Sequence, residues 1–474
     1  MENERSPIIL WFRRDLRLSD HPALTAAVAS GRPIIPVFVH DPLVQHLGAA
    51  PKWRLGLGLE VFCDALTRLG SRLILRRGDA LEQLRTLVKE TGAKAVYWSR
   101  AYDPASIRRD TQIKTALTEL GVSAKSFPGH LLFEPWTVAT KQGQPFRVYT
   151  PMWRAVQRRD VPTPDALVSR LAAPATWPSS DNLSIWQMGA GMNRGAAIVR
   201  PHVQPGEQAA RDHLEHLLDK LPGYSIDRDR LDLDGTSNLS EYLSLGEIGP
   251  RTVWHRVQQA AMTGTPGAEA FLRQLVWREF AYHLMYYSPH LLTDNWKAEW
   301  DDFPWNIDPD HPEVAAWRQA RTGIPVVDAG LRQMYVTGRM HNRARMIVAS
   351  YLTKHLMTHW KIGMNWFEDC LIDWDPACNA MGWQWVAGSG PDASPFFRIF
   401  NPETQAEKFD PQGSYLRRWI AEGQTKPSDV ALSYFAAVPG SWNLCPQADY
   451  PEPVVKLADG RIRALRAYES RKSH

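Results

Sequence analysis

The chain has 474 residues, 44% hydrophobic and 22% charged, the balance of a water-soluble globular protein long enough for two or more domains. No run reaches the roughly 18 uninterrupted apolar residues of a membrane span, and the short polar start Met1–Ser6 does not read as a secretory signal. A net charge of +4 does not mark a nucleic-acid binder, but it permits one if arginines gather on one face.

In chain order, the first third alternates short apolar runs with helical patterns. The runs are Ile8–Phe12, Pro33–Val39, Leu73–Leu75, Ala95–Trp98 and Val122–Phe127. Between them lie helical spacings over Pro22–Ala29, Trp53–Leu69, Ala80–Glu90 and Ser106–Leu120. This order predicts an α/β domain over residues 1–135, built on a doubly wound parallel sheet. No G-x-G-x-x-G follows the first run, so a nicotinamide role has no support. Residues 136–205 are rich in Pro, Ser, Ala and Asn and predict an interdomain linker wrapped on the surface, with its start, Phe146–Arg154, structured.

Residues 206–474 carry helical periods and predict an all-α domain. Ala209–Leu221 opens it, and Pro222-Gly223-Tyr224 is expected to break that helix. Thr236, Ser237, Asn238, Leu239 and Ser240 then precede a helix; their hydroxyls and free N–H groups offer either an ordinary N-cap or a phosphate seat. Ala270–Ser288 is a strong helix in which Gln274, Trp277 and Arg278 share one face, a pattern suited to core packing or to a stacked base beside a charge.

The densest polar and aromatic stretch is Thr322–Pro402, with Arg343, Arg345, Met346, Asp373, Trp374, Asp375, Asn379, Trp383 and Trp385 at close spacing. So many polar groups among aromatics point to a cavity for a large polar ring system. The chain's 20 tryptophans outnumber its phenylalanines and tyrosines, which fits stacking or redox use as well as packing. Cys63, Cys370, Cys378 and Cys445 lack metal-ligand spacing, so no metal site is expected, the pair Cys370 and Cys378 reads as helix packing, and a reduced cytoplasmic setting follows.

Five motifs together carry a resemblance: Trp11–Arg17 (WFRRDLR), Thr236–Ser240 (TSNLS), Trp277–Phe280 (WREF), Met340–Arg343 (MHNR) and Gly382–Trp385 (GWQW). The chain resembles the DNA photolyase/cryptochrome family along nearly its whole length, most of all the class I cyclobutane pyrimidine dimer photolyases. The resemblance implies an α/β antenna domain and a helical FAD-binding domain. It also implies a lyase that splits cyclobutane pyrimidine dimers in DNA, using light and an electron from reduced FAD. A cryptochrome-like blue-light photoreceptor is the alternative. The expected partner is UV-damaged DNA, single- or double-stranded, met by a monomer with no membrane contact.

By that resemblance, Tyr224, Thr236, Ser237, Asn238, Leu239, Ser240, Arg278, Arg345, Asp373, Trp374, Asp375 and Asn379 bind FAD, with Asn379 facing the ring nitrogen N5. An amide there can accept from N5–H and so stabilise reduced states of the ring. Trp383, Trp360 and Trp305 match the electron-transfer chain. The Trp305–Trp317 spacing is two residues longer than the family's, which leaves Trp300 as an alternative outer member. Trp277 and Trp385 match the aromatics that sandwich the flipped dimer, with Gln274, Met346, Asn342 and Arg343 beside it. Arg278 and Arg398, with Arg228, are expected in the basic groove. Gln274 stands where the repair enzymes carry a Glu; it keeps a donor but cannot transfer a proton. Tyr102–Asp110 lacks the Asn-Glu pair of the folate-binding type, so the antenna expectation is a deazaflavin (8-HDF) rather than methenyltetrahydrofolate, or an empty site. The short basic tail (Arg461, Arg463, Arg466, Arg471, Lys472) does not favour a long signalling extension.

Overall fold

A computed structural model describes residues 6–392, 396 and 398–472, so that most of the Met1–Ser6 start lies outside the described residues. Five strands, β1 (Ile8–Phe12), β2 (Ile34–His40), β3 (Ile74–Arg77), β4 (Ala95–Ser99) and β5 (Ser123–Phe127), form one parallel sheet in the order β3-β2-β1-β4-β5. The pleat explains the all-apolar β1. Ile8, Leu10 and Phe12 pack in one layer with Leu24, Leu59 and Phe62, while Ile9 and Trp11 pack in the opposite layer with Leu84, Ile113 and Leu117. A strand covered on both faces cannot alternate apolar with polar.

Helix starts follow their caps. Pro104–Glu119 begins two residues before the expected Ser106, because Asp103 caps the N–H of Ser106 and Pro104 takes the first turn. Because the sheet order reverses on either side of β1, the C-terminal ends of β1 and β4 form a crevice at the switch point. Arg13 and Arg14 leave β1 there, and Arg100 follows β4.

Two expectations need correction. The Glu207–Asp227 helix runs straight through Pro222. Pro222 is exposed, while Leu217, Leu221 and Tyr224 keep one buried stripe on either side of it, so packing holds the helix together across the missing N–H. Nor is the segment 136–205 wholly on the surface. Leu171, Trp186 and Met188 pack into the sheet's core, and Tyr149, Trp153 and Val156 pack into the helical one.

The helical part is crossed by Ala268–Tyr287, which packs against Pro250–Met262 and Pro376–Ala387. The two parts are joined by a buried ion network. Arg54, on the sheet-side helix Ala49–Arg68, bonds both oxygens of Glu247 (3.0 and 2.5 Å) and lies 3.5 Å from Glu241, which also accepts from Arg339 at 2.7 Å. No helix among the described residues is long and apolar enough to cross a membrane.

Candidate active site

The helical part encloses a cavity of about 970 Å³. Its walls include the Glu207–Asp227 helix, the Thr236–Ser240 turn, the Ala268–Tyr287 helix, the Asn342–Ser350 helix and the run from Asp373 into the Pro376–Ala387 helix. Tyr224, Thr236, Ser237, Asn238, Leu239, Ser240, Gln274, Arg278, Asn342, Arg345, Met346, Asp373, Asp375, Asn379 and Trp383 all line it. The expected residues from four separate motifs thus meet in one space.

The polar wall is pre-arranged. Arg345 Nη2 donates to both oxygens of Asp373 (3.0 and 2.8 Å), and Ser240 Oγ donates to Asp373 Oδ2 at 2.7 Å. Asp375 caps the next helix by accepting from the N–H of Cys378 at 3.0 Å. Its Oδ2 also accepts from the Tyr282 hydroxyl at 2.6 Å and from Arg14 at 3.3 Å. Burial pushes the Asp375 carboxyl up, but Arg14 and Arg278 outweigh it and hold the carboxyl below its usual value. Asn379 Nδ2 donates to the carbonyl of Asp375 at 3.0 Å, and among the described residues no hydrogen bond engages its Oδ1, on a cavity-lining side chain. In the turn before the Ser240–Leu245 helix, Asn238 takes a left-handed φ of 54°, which Asn tolerates better than most residues.

Several side chains sit elsewhere than expected. Trp374 lines a second cavity; in the irregular run from Asp373 to Asp375 its side chain goes to the side opposite its two neighbours. Of the two places expected for Arg278, FAD site and basic groove, it takes the cavity wall: it is buried, donating Nη1 to the carbonyl of His130 and Nη2 to His130 Nε2, both at 2.8 Å. Arg343 is not in the cavity wall, and its charge is engaged by Asp229 at 2.9 Å and by the face of Phe409 at 4.2 Å. One step of about 100° round the helix separates it from the cavity-lining Asn342. Arg398 is exposed, and its carbonyl accepts from the buried Lys354 amine at 2.9 Å. Trp277 and Trp385 are half-buried and are not among the cavity's lining residues, and one face of Trp277 is covered by Tyr149, stacked at 3.7 Å and 8°.

The three tryptophans expected to carry electrons, Trp383, Trp360 and Trp305, are all buried. Trp383 lines the cavity, and Trp360, fully buried, donates to Asn295 Oδ1 at 2.8 Å. Trp305 donates to the carbonyl of Thr353 at 2.9 Å. The His359 ring lies between these last two, 5.4 Å from Trp360 and 5.3 Å from Trp305. The two candidates for the outer place touch: Trp300 stacks on Trp305 at 5.6 Å and 19°.

The second cavity, about 340 Å³, opens at the sheet's switch point. Trp11, Arg13, Arg14, Arg100, Tyr102, Asp103, Ser106, Arg109, His130, Tyr282 and Trp374 are among its lining residues. The segment Tyr102–Asp110, read as antenna-related, therefore does reach a cavity.

Two family models match the chain: one described as DNA photolyase over residues 8–168, and one described as the FAD binding domain of DNA photolyase over residues 271–470. A deoxyribodipyrimidine photo-lyase of Agrobacterium fabrum is 43% identical over 99% of this chain and 98% of its own. The chain belongs to the DNA photolyase family. Among solved structures, a bacterial class III photolyase from Agrobacterium tumefaciens superposes with a TM-score of 0.91 at 42% identity, covering 99% of this chain and 98% of its own. An archaeal photolyase from Sulfolobus tokodaii, described as holding two FAD molecules and as implying a novel light-harvesting cofactor, superposes at 0.81 with 29% identity, covering 98% and 100%. The similar Agrobacterium structure is described as class III, whereas the motifs had been read as nearest to class I.

In this photolyase-family chain the larger cavity fits FAD. It offers a Ser/Thr/Asn turn for phosphates and the Asn379 Oδ1 acceptor for a ring N–H. It also has two buried polar atoms, His341 Nε2 and Trp383 Nε1, on lining residues with no hydrogen-bond partner among the described residues. Sequence reasoning missed several lining residues. His202, Tyr415, Arg418 and Trp419 come from distant segments with no motif of their own, and Arg339 stands just before the Met340–Arg343 motif. Cys378, read as helix packing, also lines the cavity. His130 and Tyr282, which join the two cavities, carried no signal, since nothing in a sequence brings residues so far apart together.

Proposed function

We propose that this protein is a light-driven lyase repairing cyclobutane pyrimidine dimers in DNA, with FAD in the larger cavity. Reduced FAD bound there supplies, on illumination, the electron that opens the cyclobutane ring. The observation that carries the reading is the meeting, in one cavity of about 970 Å³, of a flavin-type wall (Arg345–Asp373, Asn379) with lesion-type side chains (Gln274, Asn342, Met346).

The chain's own groups then divide the work. The Thr236–Ser240 turn and Tyr224 hold the phosphate end, and Asn379 Oδ1 accepts at the ring. Gln274 donates its amide to a dimer carbonyl, and Trp277 and Trp385 flank the extruded pair. Tyr149 behind Trp277 holds that indole in place, so the dimer meets its other face. Extrusion costs less for a dimer than for normal bases, because its stacking is already poor. Trp383, Trp360 and Trp305 carry electrons inward to restore the reduced cofactor. The domain division at residues 135 and 205, a monomeric state and a cytoplasmic setting belong to the same reading; the four cysteines are free thiols.

The second cavity is proposed to hold a light-harvesting chromophore, a deazaflavin of the 8-HDF type in preference to methenyltetrahydrofolate. Planar aromatic walls at Trp11, Tyr102 and Trp374 support this. The test of the main reading is direct. Purified protein with fully reduced flavin is illuminated with UV-damaged oligothymidine, and thymine absorbance is followed. Recovery is expected, and its absence would remove the repair reading and leave a photoreceptor.

A further inference from the structure

One carboxylate of the larger cavity is held from the smaller one. Asp375 lines the larger cavity, yet two of the groups that hold its Oδ2, Arg14 and Tyr282, line the smaller one. Through its backbone carbonyl and its capping of the Pro376–Ala387 helix, Asp375 also sets Asn379.

Arg14 is the loosest of the cations in the second cavity. Arg13 holds Asp110 at 2.8 Å, Arg109 holds Asp41 at 2.6 Å, and Arg100 holds Glu134 at 3.0 Å. Arg14 reaches its carboxylate only at 3.3 Å, and its side chain keeps 34% of its surface exposed. Its Nε is anchored on the carbonyl of Ser244 at 2.5 Å, so the guanidinium can turn about that anchor without leaving the wall. An anionic group entering the second cavity would therefore compete with Asp375 for Arg14 before it disturbed the tighter pairs.

We propose that Arg14 couples the two cavities: an anionic chromophore in the smaller one draws the guanidinium away from Asp375 and so makes the flavin in the larger one harder to reduce. This rests on the reading that flavin and chromophore occupy these cavities. The sign follows from charge. Asp375 is ionised beside the flavin site, and reduction adds negative charge there. Removing a compensating cation disfavours the reduced state, the more so in a buried wall where screening is weak. Coupling is reciprocal, so reduction of the flavin must weaken chromophore binding by the same factor.

The test is a reductive titration of FAD-loaded protein, read by flavin absorbance. Arg14→Met is expected to shift the midpoint potential to more negative values, and Arg14→Lys to shift it less. Loading wild-type protein with methenyltetrahydrofolate, whose glutamate carboxylates supply the anion, or with 8-HDF as its ring phenolate, is expected to shift it in the same direction. That shift should vanish in Arg14→Met. The folate should also show a larger dissociation constant on reduced than on oxidised protein. A midpoint in Arg14→Met equal to wild type overturns the proposal, as does a chromophore that binds wild type without moving the potential. Failure of both chromophores to bind removes the ligand half of the proposal together with the antenna reading, and the Arg14→Met result separates that failure from a failure of the coupling. No readout uses DNA, so a protein that repaired nothing would still report on the Arg14–Asp375 link.

Discussion

Trp383 packs its indole against the backbone of Gly363, so closely that a methyl group at Gly363 would fall inside the van der Waals surface of ring atoms Cη2 and Cζ3. Gly363 lies one turn into the helix Trp360–Cys370, which Trp360 itself begins. A glycine thus sets how closely Trp383 approaches the helix that carries Trp360. Gly363→Ala should overpack this contact, at a cost of about 1–3 kcal/mol, and push Trp383 toward the cavity. Lower FAD retention and slower photoreduction are expected. Wild-type flavin content and rate in the folded variant would show that the contact does not position Trp383.

Gln274 lines the large cavity on the same helix as Trp277, one turn away. Its amide can donate to a dimer carbonyl but cannot protonate it. Gln274→Glu is expected to raise the quantum yield of dimer splitting at a pH where the new carboxyl is protonated, with little change in affinity for damaged oligothymidine. An unchanged yield would mean that residue 274 is not involved in the chemical step.

The two candidates for the outer tryptophan, Trp300 and Trp305, are a stacked pair, so they should share the role. Trp305→Phe is expected to slow photoreduction strongly, because Trp305 lies against His359, which in turn lies against Trp360, while Trp300→Phe should slow it partially. Transient absorption of the tryptophan radical would check this. A full rate in Trp305→Phe would place the exit elsewhere.

How far these elements could be read beforehand depended on range. The strands stood out because a doubly covered strand must be apolar throughout, as in Ile8–Phe12. Asn379, Asp373 and Arg345 were legible because each lies in the dense Thr322–Pro402 stretch, close to the Met340–Arg343 or Gly382–Trp385 motif. The side from which a residue faces the cavity was harder. Trp374 was grouped with Asp373 and Asp375, and Arg343 with Asn342, though each turns away from its neighbours. Pro222 was read as a break because propensity speaks locally, while the buried stripe of Leu217, Leu221 and Tyr224 is a tertiary fact. The wall formed by Arg14, His130, Tyr282 and Asp375 joins four segments, and no local pattern announces it.

Arg54 is fully buried between Glu247 and Glu241 at the junction of the sheet-side and helical parts. Removing one partner of such a pair leaves uncompensated buried charge, at a cost of about 3–5 kcal/mol. Arg54→Met should lower stability by that order in denaturant unfolding, and it should do so without changing the residues that line the large cavity. A variant within 1 kcal/mol of wild type, roughly the net value of an exposed pair, would mean that water or proton uptake relieves the carboxylates.

Acid should destabilise the fold well before its carboxylates titrate. Burial, the leading cause in each case, pushes His283, His341, His355 and His359 down to about 4. Each is neutral in the folded chain and takes up a proton near pH 6.5 once unfolded. Their contribution is therefore complete above about pH 6.5 and is lost as pH falls toward 4. Glu279 opposes them. Burial raises its carboxyl to about 7 against the pull of Arg278 and of the Phe133 and Leu132 N–H groups, so protonation favours the folded form between 4.5 and 7. His40, His130, His202 and His213 are lowered by burial as well, while Glu247, Asp328 and Glu368 are raised by it, so eight histidines stand against four carboxyls and decide the sign. The melting temperature should fall between pH 6.5 and 4.5, and Glu279→Gln, which keeps an acceptor for both N–H groups, should steepen the fall by removing the opposing proton uptake. A melting temperature flat across that window in both proteins would mean that these histidines are protonated in the folded chain.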